Sequence, residues 1–208
     1  GIFVLTDEEV NLLALNDQEK SVLKKYVSPS GVNKWKISPS QKNWLIYSDK
    51  NIKEKISSDD KFINLRNHLD KFSAFITSSS RPYGIHRPRN IKYFNQPKII
   101  FKGMFEKQEF AIDNNDYFFG MSFSSIISKN NEYTLEYLLG LLNSKYALNW
   151  FNTYGKKRGI GVDIGVNKLR TFPLPLIYSK KIEYKVKEIL SASSDTILTL
   201  ESELDAFV

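Results

Sequence analysis

The stretch that decides the fold is Lys98-Ile99-Ile100-Phe101, then Glu109-Phe110-Ala111-Ile112, then Tyr117-Phe118-Phe119, then Phe123 to Ser128. These are short runs of β-branched and aromatic residues set between polar and glycine-bearing connectors, which is the pattern of strands. Asn114-Asn115-Asp116 supplies turn residues and predicts a hairpin between the second and third runs. Residues 134–151 follow with a different period. Leu135, Leu138, Leu139, Leu142, Tyr146 and Trp150 share one broad apolar face, which predicts a helix. A block of strands followed by helices predicts an α+β fold, with a mixed or antiparallel sheet, flanking helices and one long C-terminal helix.

Towards the N-terminus, residues 2–5 predict a strand, and Thr6 with Glu9 has the spacing of a capping box. Val10, Leu12, Leu13 and Leu15 suggest a short helix. Asp17 is placed to cap a second one carrying Val22, Leu23 and Tyr26. Residues 28–42 predict a loop and Trp44-Leu45-Ile46-Tyr47 a buried strand. Asp59-Asp60 caps a helix whose Phe62, Leu65, Leu69 and Phe72 line one side; His68 sits on its surface or boundary. Residues 78–96 form a long polar loop. Beyond the proline-rich Phe172-Pro173-Leu174-Pro175-Leu176, apolar residues recur from Ile182 to Phe207. Their spacing of three and four predicts a coiled-coil-like seam on a helix of about 25 residues. The expected organisation is a unit over 1–176 and a spacer helix over 177–208. Both ends look cut, so the chain is expected to be a domain of a longer polypeptide.

Apolar residues make up 41% of the 208 and charged residues 25%, with a formal charge of +7. That excess of cations favours a polyanionic partner, nucleic acid before membrane. There is no cysteine, which excludes disulfides, thiolate zinc sites and thiol nucleophiles and fits a cytoplasmic protein. No apolar run approaches the roughly 20 residues of a membrane span.

Cations concentrate in two places. Arg81-Pro82-Tyr83-Gly84-Ile85-His86-Arg87-Pro88-Arg89 holds three of the six arginines and one of the two histidines. A guanidinium fork binds two acceptors at once, which suits phosphates and guanine edges. No acidic residue occurs between Asp70 and Glu106, so the alternative of local ion pairing has no partner nearby in sequence. The second is the loop Lys156-Lys157-Arg158-Gly159-Ile160-Gly161, whose glycines let a backbone approach phosphate closely. Its alternative is a plain connector. Arg81, Arg87, Arg89 and Arg158 are the expected strong contacts; Lys156 and Lys157 bind phosphate. Tyr83 and His86 contact a base or fix the loop. Tyr83, Tyr93, Phe94 and Tyr154 are placed to stack on bases or to pack beneath the loops.

Catalytic patterns are lacking. There is no Walker loop and no Asn-Pro-Pro-Tyr-type tetrapeptide. Gly159, Gly161 and Gly165 have the wrong spacing for a dinucleotide fingerprint. Asp59-Asp60-Lys61 has the Asp-x-Lys spacing of nucleases but reads as a helix cap. Two histidines without cysteines make a poor zinc site.

The ordered set of segments resembles a known family. Phe3-Val4-Leu5-Thr6; Trp44-Leu45-Ile46-Tyr47; Asn64-Leu65-Arg66-Asn67-His68-Leu69-Asp70-Lys71-Phe72; His86-Arg87-Pro88-Arg89 with Pro97-Lys98-Ile99-Ile100; and Tyr137-Leu138-Leu139-Gly140-Leu141-Leu142-Asn143-Ser144 carry it. Together with Lys157-Arg158-Gly159 and Leu174-Pro175, they resemble the TaqI-like C-terminal specificity domain of type IIG restriction-modification enzymes, related to the recognition domains of type I specificity subunits. The resemblance implies sequence-specific recognition of double-stranded DNA without catalysis in this chain. It also implies a methyltransferase domain, in the same or a partner chain, that uses S-adenosylmethionine to modify adenine, with a fused endonuclease in some members. An assembly module built on the C-terminal helix, or a nuclease, are the competing readings.

Overall fold

The computed structural model describes residues 1–129 and 132–208. Two four-stranded sheets lie face to face, each covered on its outer side by helices. The N-terminal sheet joins β1 (Val4–Thr6), β2 (Leu23–Val27), β4 (Asn43–Ile46) and β8 (Phe118–Phe119) in the order β1-β4-β2-β8. The central sheet joins β3 (Trp35–Lys36), β5 (Lys98–Lys102), β7 (Phe110–Asp113) and β9 (Phe123–Ile126) in the order β3-β7-β5-β9. A smaller sheet places β6 (Met104–Phe105) beside β11 (Gly161–Asp163) and β10 (Lys156–Arg158). The β2–β8 and β3–β7 pairs are parallel and the others antiparallel, so the expected mixed α+β architecture is present.

The period-2 alternation of strands distributes the core. On β5, Ile99 and Phe101 pack with Phe110 into the cluster beneath the C-terminal helices. Ile100 points the other way and meets Ala111, Phe118 and Phe123 between the two sheets. On the outer face of the N-terminal sheet, Leu5 and Ile46 pack with residues of two helices. These are α3 (Lys50–Ser58), which contributes Ile56, and α4 (Ile63–Asp70), which contributes Leu65 and Leu69.

Several local expectations are corrected. The capping box of Thr6 and Glu9 forms at α1 (Asp7–Leu12), but the next helix, α2 (Asp17–Ser21), is capped by Asn16. It stops before Val22, and Leu23–Val27 is a strand: apolar residues at 22, 23 and 26 fit either period. Phe118–Phe119 does not form a hairpin with β7. It crosses to pair with β2 in the other sheet. The Asp113 carboxylate turns the chain by accepting the Asn115 and Tyr117 N–H groups. The helix over 134–151 divides at Ser144, whose N–H closes α5 (Leu135–Asn143) and whose Oγ caps α6 (Lys145–Tyr154). His68 is buried and its Nε2 lies 3.0 Å from the Ile2 carbonyl, so it fastens α4 to the segment that leads into β1.

After the short α7 (Gly165–Leu169), the long C-terminal helix is present as α8 (Lys180–Ser191) and α9 (Ser194–Asp205), parted at Ala192 and Ser193. The two fold back antiparallel, with Lys185 bridging Glu203 at 2.7 Å. Gly140 of α5 faces Ile182, Val186 and Leu204 at distances that leave no room for a side chain. Ile182, Val186, Ile189 and Leu204 of the apolar seam are thus buried against this same chain, while Phe207 stays exposed.

Candidate nucleic-acid interface

The arginine loop leaves α4 and reaches β5 across the edge of the space between the two large sheets. Its backbone is tied down at close intervals. The Ile85 N–H donates to the Ser48 carbonyl at 3.0 Å, Ser78 Oγ donates to the Gly84 carbonyl at 3.0 Å, and the Tyr47 hydroxyl donates to the Arg89 carbonyl. Gly84 is packed so tightly that a Cβ there would lie 2.6 Å from the Ser80 backbone oxygen and 3.2 Å from Lys53 Cδ. The Arg81–Pro82 peptide bond is cis.

At the loop's exit, Lys98 and Asp113 form a buried ion pair, 2.5 Å apart and inaccessible to water. They face each other across β5 and β7. Lys98 Nζ also donates to the Phe94 carbonyl at 2.7 Å, while Asp113 takes the two N–H donors named above. A buried pair survives only with its remaining hydrogen-bonding capacity filled, and here it is. The sequence places Lys98 at the head of a strand but gives no sign of this pair, which cross-strand register creates.

The side chains that project from this frame are exposed at Arg81, His86, Arg87 and Arg89. Among the described residues no ion pair engages Arg81, Arg87 or Arg89. Arg87 has φ +53°, a left-handed conformation that a non-glycine residue adopts at a cost and that concentrates at functional loops. His86, Arg87 and Arg89 line a cleft of about 200 Å³ with Tyr26, Gly120 and Met121 on its other side. Tyr83 is half-buried. Its hydroxyl donates to Asp70 Oδ1 at 2.8 Å, and burial, followed by that hydrogen bond, raises its pKa above the ordinary tyrosine value. Phe94 is core: it is buried and stacks on Phe118 with ring centroids 4.2 Å apart. Tyr93 and Tyr154 remain about half exposed.

The second basic segment is a β-hairpin rather than a loop. Lys156, Lys157 and Arg158 pair with Asp163, Val162 and Gly161. Three consecutive cations give no apolar–polar alternation, so the strand is invisible to a pattern search. Gly159, at φ +57°, takes the first central position of the two-residue turn, where hairpin geometry calls for glycine. Register sorts the side chains. Lys156 lies in one row with Asp163 and Met104, and Arg158 shares that face, its Nε 3.7 Å from Asp163 Oδ2. Lys157 is on the opposite face, in the row of Val162 and Phe105, and is exposed at the edge strand. The arginine segment thus lies in no sheet, while the lysine-rich one belongs to the small sheet. They are linked through β5, whose N-terminus receives the arginine loop and whose C-terminus passes through Gly103, the acceptor for the Ile164 N–H, to β6.

Among the described residues no group of three or more histidine, cysteine, aspartate and glutamate side chains could hold a metal ion. No helix is long and apolar enough to cross a membrane. The exposed cations stand on one loop and one hairpin carried by the double-sheet frame, the arrangement by which a rigid scaffold presents functional side chains.

The model of the TaqI-like C-terminal specificity domain matches residues 24–174, and the chain belongs to this family. It is similar to the type II methyltransferase M.MjaIV of Methanocaldococcus jannaschii, with 23% identity over 219 residues that cover 98% of this chain and 69% of that protein. Its fold is similar to that of the type IIL restriction-modification enzyme MmeI, solved in complex with DNA. The TM-score is 0.67 at 16% identity, and the match covers 99% of this chain but 30% of MmeI.

Proposed function

We propose that this chain reads double-stranded DNA and supplies target choice to an adenine-specific methyltransferase, in the same polypeptide or a partner, with or without a fused endonuclease. The observation that carries this reading is the arginine loop. Three guanidiniums project from a backbone that is anchored through its own peptide groups, and among the described residues no carboxylate forms an ion pair with them. Such groups are preorganised for acceptors brought by a partner, and the bidentate match to guanine O6 and N7 gives them base selectivity.

In this reading Arg81, Arg87, Arg89 and Arg158 make the strongest contacts, Lys156 and Lys157 neutralise phosphates, and His86 and Tyr83 touch a base or hold the loop. Residues 1–176 form the recognition unit and 177–208 its helical spacer. The arginine loop and the hairpin grip one duplex from two sides. S-adenosylmethionine belongs to the methyltransferase partner. Residence in the cytoplasm, where bacterial and archaeal DNA lies, fits this role.

The test is titration of the chain into fluorescent duplexes of random sequence, followed by selection of bound sequences from the pool. Binding should weaken log-linearly with salt, as phosphate neutralisation requires, and selection should enrich a short motif. No binding at low salt would reject the reading.

A further inference from the structure

We propose that the Lys156–Asp163 hairpin enters a groove of the duplex tip first, with Ile160 as an apolar wedge at its point. The inference rests on the duplex-binding reading above. Ile160 is 86% exposed. It occupies the second central position of the turn between the paired residues Arg158 and Gly161. Nothing lies within 4 Å of the place where a side chain on Gly159 would begin, so the tip stands clear of the body.

Folding supplies no reason for isoleucine here. Two-residue hairpin turns ordinarily take Asn, Asp, Ser or Gly, and a β-branched apolar side chain at an open tip gains no burial. The hairpin is held to the body by other residues: Val162 and Ile164 are buried in the main core, and β11 pairs with β6. A local choice that conflicts with local structure and is not compensated within the chain points to a contact outside it.

The neighbouring charges say what that contact is. Lys156 and Arg158 lie on one face of the ribbon and Lys157 on the other, and all are exposed. Cations on both faces do not suit docking on a flat surface, where one face would be left idle. They suit a slot with anionic walls on both sides, which is what a groove between two phosphate backbones offers. Entry by the tip alone suits the minor groove, which is too narrow for the full width of a two-stranded ribbon. Isoleucine is among the side chains that wedge between base steps in the minor groove and kink the duplex. Met104, 61% exposed on the neighbouring strand β6, lies in the same row as Lys156 at the base of the ribbon, away from its tip.

The experiment uses the duplex selected by the wild-type chain, with 2-aminopurine placed at successive positions and a donor–acceptor dye pair on its ends. Wild type should brighten one step and shorten the end-to-end distance. Ile160→Ser should abolish both and weaken binding on the order of tenfold, the loss expected when one aliphatic side chain is no longer buried. Its salt dependence should match wild type, since no cation is removed. Ile160→Leu should restore the signals. A wild-type complex that neither brightens nor bends would overturn the wedge while leaving duplex binding intact. So would an Ile160→Ser chain indistinguishable from wild type, the result expected if the tip docks on a protein. If the wild-type chain binds no duplex at all, the parent reading fails with it.

Discussion

The arginine loop and the basic hairpin carry similar charge on opposite kinds of scaffold. The loop is irregular and takes its shape from elsewhere: Ser48, Tyr47, Lys98 and Asp70 all reach it from other elements. The hairpin is regular and takes its shape from itself, through cross-strand pairing, a glycine turn and one neighbouring strand. Shape imposed from outside can hold a residue such as Arg87 in an unfavourable conformation. Shape generated locally cannot, but it survives the loss of any one distant contact. The first suits discrimination, where side-chain angle matters, and the second suits grip.

The largest effect should come from cutting the loop's anchor. Lys98→Met leaves Asp113 buried without its counter-ion and should cost about 3–5 kcal/mol, read from the urea midpoint. No single cation of the hairpin should match it. Next, Arg87→Ala should weaken binding to the selected duplex by about 1–3 kcal/mol if it holds a guanine edge. Its effect on random duplex should be much smaller, and equal losses on both would remove Arg87 from base reading. Lys157→Ala should do the reverse, weakening every sequence alike and lowering the slope of log affinity against log salt by about 1.

The smallest effect concerns Tyr83. Losing its hydroxyl in Tyr83→Phe should cost about 0.5–1.5 kcal/mol near neutral pH, the worth of one hydrogen bond. Because the folded-state pKa of Tyr83 is raised, its contribution is complete below the ordinary tyrosine value. It disappears as pH climbs through the folded one. Thermal melts should therefore show wild type and Tyr83→Phe converging at high pH, and a constant gap would dismiss the Asp70 contact.

What the sequence disclosed depended on the range of the interaction. Thr6 and Glu9 cap α1 through atoms three residues apart, and the strands from Lys98 onward announce themselves by composition. The destination of Phe118–Phe119, beside β2 some ninety residues earlier, depends on long-range packing that no local pattern encodes. The same holds at the interface. Arginines 81, 87 and 89 were legible because they cluster. The Lys98–Asp113 pair was not, since its meaning lies in cross-strand register and complete burial. Three adjacent cations hide the hairpin's first strand and give it the look of a loop, and its point, Ile160, carries no signal beside them.

The loop's fastenings go to peptide groups: Tyr47 holds the carbonyl of Arg89, Ser78 that of Gly84, Lys98 that of Phe94, and Ser48 takes the Ile85 amide. None of them grasps the side chain of His86, Arg87 or Arg89. His86 and Arg89 can accept other residues while the scaffold keeps its course, much as a typewheel accepts new letters without a new machine. Arg87, held at φ +53°, is open chiefly to residues such as Asn, Asp or Gly that tolerate that backbone, so a lineage could change the word it recognises most freely at the two flanking positions.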